Sequence, residues 1–208
     1  MANSLTGGYG LRPIGITGAG YNTTGTTTYE IASNNTNAIY QGGIVIPTAA
    51  GVITITDQSV APLGVFYGCE FVDSGTKKTT FKNYWPGSNN VSVDTNFPIK
   101  AFVYDNPMQR YIICSDGTNT DRATAKADVF KTAEIENATS GSTTTGISTA
   151  QIDISTAEDS DPSTPLLILG IQEDVENSDH SAAGIQYIVK LNNHVFFSSV
   201  GDPDAAIS

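Results

Sequence analysis

The chain has 208 residues, 39% of them apolar and only 15% charged, with a formal net charge of −11. That length suits one all-β domain with appendages. The acidic balance argues against a general nucleic-acid binder, whose affinity rests on Lys and Arg displacing counterions from phosphates, and against binding to an anionic membrane surface. The charge is uneven: eight of the ten Lys and Arg fall between Lys77 and Lys131, while residues 152 to 208 carry ten carboxylates against Lys190 alone. Copies set side by side would be oriented by that asymmetry, the plain alternative being ordinary solvated loop charge.

Met1 to Leu5 do not begin a basic-then-apolar leader, and the longest apolar run, Pro165 to Ile171, is far short of the ~20 residues a spanning helix needs. The expectation is therefore a soluble protein made and kept in a cytoplasm until it meets its partners. Residues 1–27 hold seven glycines with few apolar residues, and read as an extended Gly-rich arm. Leu11, Arg12, Ile14 and Ile16 are its candidate partner-binding residues, since an extended segment needs few anchors when its partner supplies the sheet.

From Thr28 onward short β-branched and aromatic runs recur between Gly, Pro and Asn breakers. They predict strands over 28–32, 39–46, 51–56, 63–72, 79–85, 99–104 and 110–115. In Val52 to Thr56 the period of two puts Ile53 and Ile55 inward with Thr54 and Thr56 outward. Lys100, Phe102 and Tyr104 alternate in the same way with Ala101 and Val103. Residues 121–137 mix Ala with Val129 and Phe130 and predict at most a short helix. Ser140 to Gly146 is a low-complexity loop, followed by a sparse strand through Ile147, Ile152 and Ile154. Leu166 to Gln172 reads as a strand covered on both faces, and Ile185 to Phe197 as a long last strand. About ten strands with scant helix predict an all-β fold, a single β-barrel or β-sandwich over 28–200 with a polar tail over 201–208. Cys69 and Cys114 sit in strand-like runs, where a thiol packs as a small apolar group rather than in a disulfide.

Tyr84-Trp-Pro-Gly87, Ala101 to Pro107, Ser140 to Gly146, Leu167-Ile-Leu-Gly170 and Leu191-Asn-Asn-His194 occur in one order. Together they resemble a family of virion structural proteins of tailed bacteriophages. Gly10-Leu-Arg-Pro13 followed by Gly20-Tyr-Asn22 is similar to the opening of that family, so the likeness spans nearly the whole chain; order and spacing carry it, not any one motif. The resemblance implies a non-enzymatic capsid decoration or cement protein that binds the major capsid protein and stabilises the shell. It further implies a homo-oligomer, a trimer being one option, on the capsid surface after synthesis in the host cytoplasm, with no cofactor, nucleic acid or membrane involved. The chain departs from the family pattern at Gln109 to Ser115 and in the acidic stretch Glu173 to His180.

Other constellations carry less. Glu158-Asp-Ser-Asp161 and Glu173-Asp-Val-Glu176 with Asp179 group hard oxygen ligands, of which Ca²⁺ takes about six to eight, but without EF-hand spacing, so no metal is expected. His180 and His194 lack the paired spacing of a zinc site, and His194 reads as an ordinary polar residue in or beside the last strand. Paired carboxylates would be needed for glycoside hydrolysis, while Phe81, Tyr84 and Trp85 suggest a sugar-stacking platform. A glycan-binding head module mediating attachment to a host surface is thus the rival reading. Gly18-Ala-Gly20 is not followed by a helical pattern and does not read as a phosphate loop. Asn137-Ala-Thr139 is a formal glycosylation triplet, but no export signal gives it a route to modification.

Overall fold

The structure is a computed structural model that describes Asn3 and residues 7–18, 25–56, 58, 60–158 and 161–197. The expected tail over 201–208, Gly20 to Asn22 and Asp159 lie outside the described residues. Strand β1 (Arg12–Ile16) opens the element order, followed by β2 (Thr27–Ile31), β3 (Ile44–Pro47), β4 (Ile53–Ile55), β5 (Gly64–Val72), β6 (Thr79–Lys82) and β7 (Ile99–Tyr104). Then come β8 (Gln109–Cys114), α1 (Arg122–Ala127), β9 (Thr132–Glu136), β10 (Gln151–Glu158), β11 (Leu166–Ile171) and β12 (Gln186–Leu191). The all-β class expected from the punctuated strand pattern is the class observed.

Two six-stranded sheets result, ordered β3-β4-β2-β7-β5-β6 and β1-β8-β12-β11-β9-β10. The first closes on itself. β5 is nine residues long, and its start pairs with β3 (Ile44 opposite Val65) while its second half pairs with β6 (Cys69 opposite Lys82). Hydrogen bonding therefore runs β3-β4-β2-β7-β5 and back to β3, a five-stranded ring with β6 appended. A bulge between Phe66 and Gly68 bends β5 where the ring turns. The second sheet curls likewise, Ser115 just past β8 bridging to Ile152 of β10. Features of both expected alternatives are thus present: two packed sheets, one of them closed.

Each sheet encloses its own apolar cluster, as strand alternation requires. In β7 Ile99, Ala101 and Val103 are buried, while Lys100 is exposed and Phe102 and Tyr104 are half-buried on the opposite face. The first interior holds Val45, Ile53, Phe66, Cys69, Phe71 and Trp85 among others, and the second Tyr111, Ile113, Ile152, Leu166, Ile168 and Tyr187. Trp85 is fully buried, its indole N–H donating to Asn35 O at 3.1 Å and its ring edge-on to Phe71. Cys69 and Cys114 are free thiols, one in each cluster. Ile44 and Val65 belong to the second cluster although their neighbours Val45 and Phe66 belong to the first, so their side chains cross the seam between the sheets.

Residues 7–18 are not set apart as an arm. β1 is the edge strand of the second sheet, antiparallel to β8 with Arg12 opposite Ile112, and Leu11 lies in the second cluster. The segment that lacks a core of its own is completed by the sheet of its own chain. Two glycines make this possible: Leu11 N donates to Gly42 O at 2.9 Å, and Gly10 has φ +71° with its missing Cβ only 2.6 Å from that same oxygen. A side chain at Gly10 would meet backbone that has no room to yield.

Several local expectations are corrected. Thr56 is buried past the end of β4, its hydroxyl accepting from Gln58 N, rather than outward. Of the expected 39–46 strand only 44–46 is regular, β3 running on to Pro47, and Ile39 instead bridges to Trp85. β11 buries Leu166, Ile168 and Ile171 on one face and half-buries the other. The last strand stops at Leu191 because Asn192 turns the chain, its side chain donating to Asp161 O and Thr164 O. The short helix falls at α1, started by Asp121 accepting from Thr124 N, and β9 follows it where no strand is expected.

Gly10→Ala is predicted to destabilise the fold by about 1–3 kcal/mol, from positive φ and overpacking together. Gly25→Ala, whose added Cβ meets nothing within 4 Å, should change it by less than about 0.5 kcal/mol. Urea unfolding midpoints of the two variants check this.

Candidate binding surface

A cavity of about 390 Å³ opens at the seam between the sheets. Leu11, Pro13, Gly42, Val65, Phe66 and Ile147 form its apolar lining beside the Tyr9 ring, and Arg12, Gln41, Tyr67 and Tyr104 bring polar side chains to it. None of its described lining residues is acidic. The Arg12 guanidinium lies 4.1 Å from the centroid of the Tyr9 ring, a cation–π contact that fixes it at the rim. Among the described residues no carboxylate pairs with Arg12. The Tyr9 hydroxyl is buried with no partner among them, and burial pushes its pKa up.

From this cavity an aromatic strip runs over the outer face of the first sheet. Tyr104 meets Tyr67 edge-on with centroids 5.7 Å apart, Tyr67 is 6.4 Å from Phe81, and Phe81 is 6.0 Å from Phe102. Tyr67 and Phe81 are 41% and 55% exposed, which makes the strip accessible rather than a core. Gly68 allows it: a Cβ there would lie 2.8 Å from the Phe81 ring, which crosses β5 at that point. Lys100 pairs with Glu70 at 3.2 Å beside the strip.

The sequence-predicted residues divide. Leu11, at 1% exposure, is cavity floor and structural core, so it offers no free anchor to a partner. Arg12 stands exposed at the rim, whereas Ile14 and Ile16 are half-buried along β1 and do not line the cavity. The expected Phe81, Tyr84 and Trp85 platform does not form: Trp85 is internal and Tyr84 stacks on Tyr40 at 5.8 Å, leaving Phe81 alone on the outer strip. Tyr9, Tyr67 and Tyr104 were not singled out in the sequence because they are far apart along the chain; the signal that could have found the last two is their outward register opposite buried neighbours.

The acidic stretches hold turns. Asp161 accepts from Ser163 N and Oγ, Asp179 from Ser181 N and Oγ, and Asp174 from Glu176 N, while Glu173 pairs with Arg122. Among the described residues no group of three or more His, Cys, Asp or Glu is placed to hold a metal ion. His194 is not on a strand: it is 1% exposed, its Nδ1 accepts from Phe196 N, and its Nε2 has no partner among the described residues. Burial pushes its imidazole down to about 4, against a weaker upward pull from Asp105.

Compared with protein families, curated proteins and solved structures, the chain gives no match in any of the three.

The pH profile of stability follows from these groups. Between about 6.5 and about 4 the unfolded His194 binds a proton that the folded one does not, so stability falls as pH falls. Hydrogen bonds to Asp73, Asp121 and Asp161, and Lys77 beside Asp94, hold those carboxyls below their usual range, so a second loss sets in as pH drops through their folded values. Thermal melts from pH 7 to pH 3 should show both steps. His194→Gln should flatten only the upper one.

Proposed function

We propose that the chain is a non-enzymatic structural protein of a tailed-bacteriophage particle, a decoration or cement protein that binds the outside of the major capsid shell and stabilises it. The ordered segments from Gly10 to His194 that resemble such virion proteins support this reading. The observation that carries it is the exposed phenylalanine surface of the first sheet, Phe81 on β6 with half-buried Phe102 on β7, the two strands that flank β5. Phe97 adds a further exposed ring, 54% accessible. Large aromatic groups on a rigid wall, with the Lys100–Glu70 pair beside them, have the anatomy of a protein-docking surface.

Its action is added buried area. A stable interface removes roughly 1,200–2,000 Å² from water, and a symmetric shell repeats each contact over many copies. Homo-oligomers on the particle surface would bridge neighbouring capsid subunits and raise the barrier to their separation. A closed ring suits this use because it presents its aromatic groups without rearranging on binding.

The test is co-sedimentation of the purified chain with emptied shells. The wild-type chain should sediment with them and raise their disassembly temperature. Phe81→Ser should weaken binding at least about tenfold, as loss of an aromatic anchor does, without lowering the chain's own melting temperature. Absence of shell binding, or unchanged binding by Phe81→Ser, contradicts the reading.

A further inference from the structure

The seam cavity differs in chemistry from the phenylalanine surface beside it. Its lining is apolar in the main, with tyrosines, the Gln41 amide and the Arg12 guanidinium as its polar groups, and among the described residues its one ionised lining group is a cation in a chain of net charge −11. A cation set at the rim of a partly apolar hollow, stacked on Tyr9 and without a described carboxylate partner, selects an anionic ligand.

The main chain around the cavity narrows the class. Leu11 N donates to Gly42 O, Gly42 N to Phe66 O, Phe66 N to Gly43 O, Gln41 N to Gly146 O, and Ser148 N to Gln41 O. The Tyr104 carbonyl accepts from Tyr111 Oη. These backbone groups are already satisfied, so an extended peptide finds little main chain there with which to form a strand ladder. Recognition falls to side chains: aromatic faces, phenol hydroxyls, one amide and one guanidinium. That set suits a polyhydroxylated ring bearing a carboxylate, with its apolar face on tyrosine and its hydroxyls hydrogen-bonded around the edge.

We propose that this cavity is a binding site for an anionic saccharide, a hexuronate-type ring lying against Tyr67 and Tyr104 with its carboxylate on Arg12. The strip from Tyr67 to Phe81 continues out of the cavity and offers a stacking surface to the next ring of a chain. The site stands independently of shell binding, and would give a particle-bound protein a means of holding acidic surface polysaccharide.

Calorimetric titration of the full chain with trimers of galacturonate, glucuronate and mannuronate tests it, with cellotriose as the neutral sugar and tri-glutamate as the acidic peptide. At least one uronate trimer should bind saturably, at least about tenfold more tightly than cellotriose or tri-glutamate. Arg12→Gln should weaken it at least about tenfold, the size expected for loss of a charge-assisted contact. Tyr67→Ala should weaken it similarly, while Phe130→Ser, exposed and away from the cavity, should leave it within about twofold. Circular dichroism and melting temperature establish that each variant is folded. No saturable uronate binding, equal binding of tri-glutamate, or an unchanged affinity in Arg12→Gln overturns the proposal. Shell co-sedimentation by Arg12→Gln should stay at the wild-type level, so the two readings fail separately.

Discussion

The N-terminal segment is stitched to both sheets at once, and the rest of the surface depends on that stitch. Gly10 N donates to Ala150 O beside the second sheet at 3.1 Å, and the next residue, Leu11, donates to Gly42 O beside the first at 2.9 Å. Between these bonds the Leu11 side chain drops into the second core. Tyr9 and Arg12, on either side, are thereby set at the mouth of the cavity. Without the stitch the two sheets would still meet through Ile44 and Val65, but the cavity would lose one wall and the Arg12 cation.

The same geometry separates two kinds of surface. Phe81 and Phe102 have no polar atoms and sit on the outer wall, where a partner protein can exclude water from them. Tyr67 and Tyr104 mark the border, with rings in the aromatic strip and side chains that also line the cavity. Carboxylates are kept off the cavity, since the aspartates in the loops are engaged in capping turns. Among the described residues four of the eight cations between Lys77 and Lys131 form ion pairs, Lys77 with Asp94, Lys131 with Asp128, Lys100 with Glu70 and Arg122 with Glu173, and the last of these joins the basic stretch to the acidic one.

Much of the fold was legible in the sequence and the site was not. β5, β7 and β8 announce themselves because each is a local run of β-branched and aromatic residues closed off by turn-forming residues. β9, Thr-Ala-Glu-Ile-Glu, is hidden because its composition favours helix, and only pairing with β10 and β11 makes it a strand. β1 is hidden by its glycines and proline, which read as an arm until β8 is seen to supply the ladder. Ring closure depends on Ile44 meeting Val65, a non-local pairing that no periodicity encodes. The misread platform has the same origin: Tyr84 and Trp85 are adjacent to Phe81 in sequence, but bridging of Trp85 to Ile39 turns the indole inward. Leu11 and Arg12 read as anchors of an extended arm, but the sheet they complete belongs to their own chain.

The central claim is that this segment is a built part of the body, and amide hydrogen exchange of the isolated full chain tests it most directly. Leu11 and Thr17 donate to Gly42 O and Met108 O, so their amides should exchange as slowly as those of β8, with protection lost together in Gly10→Ala. Exchange of both amides at the rate of an unprotected peptide in the wild-type chain would contradict the account, because the cavity and its cation would then have no fixed wall.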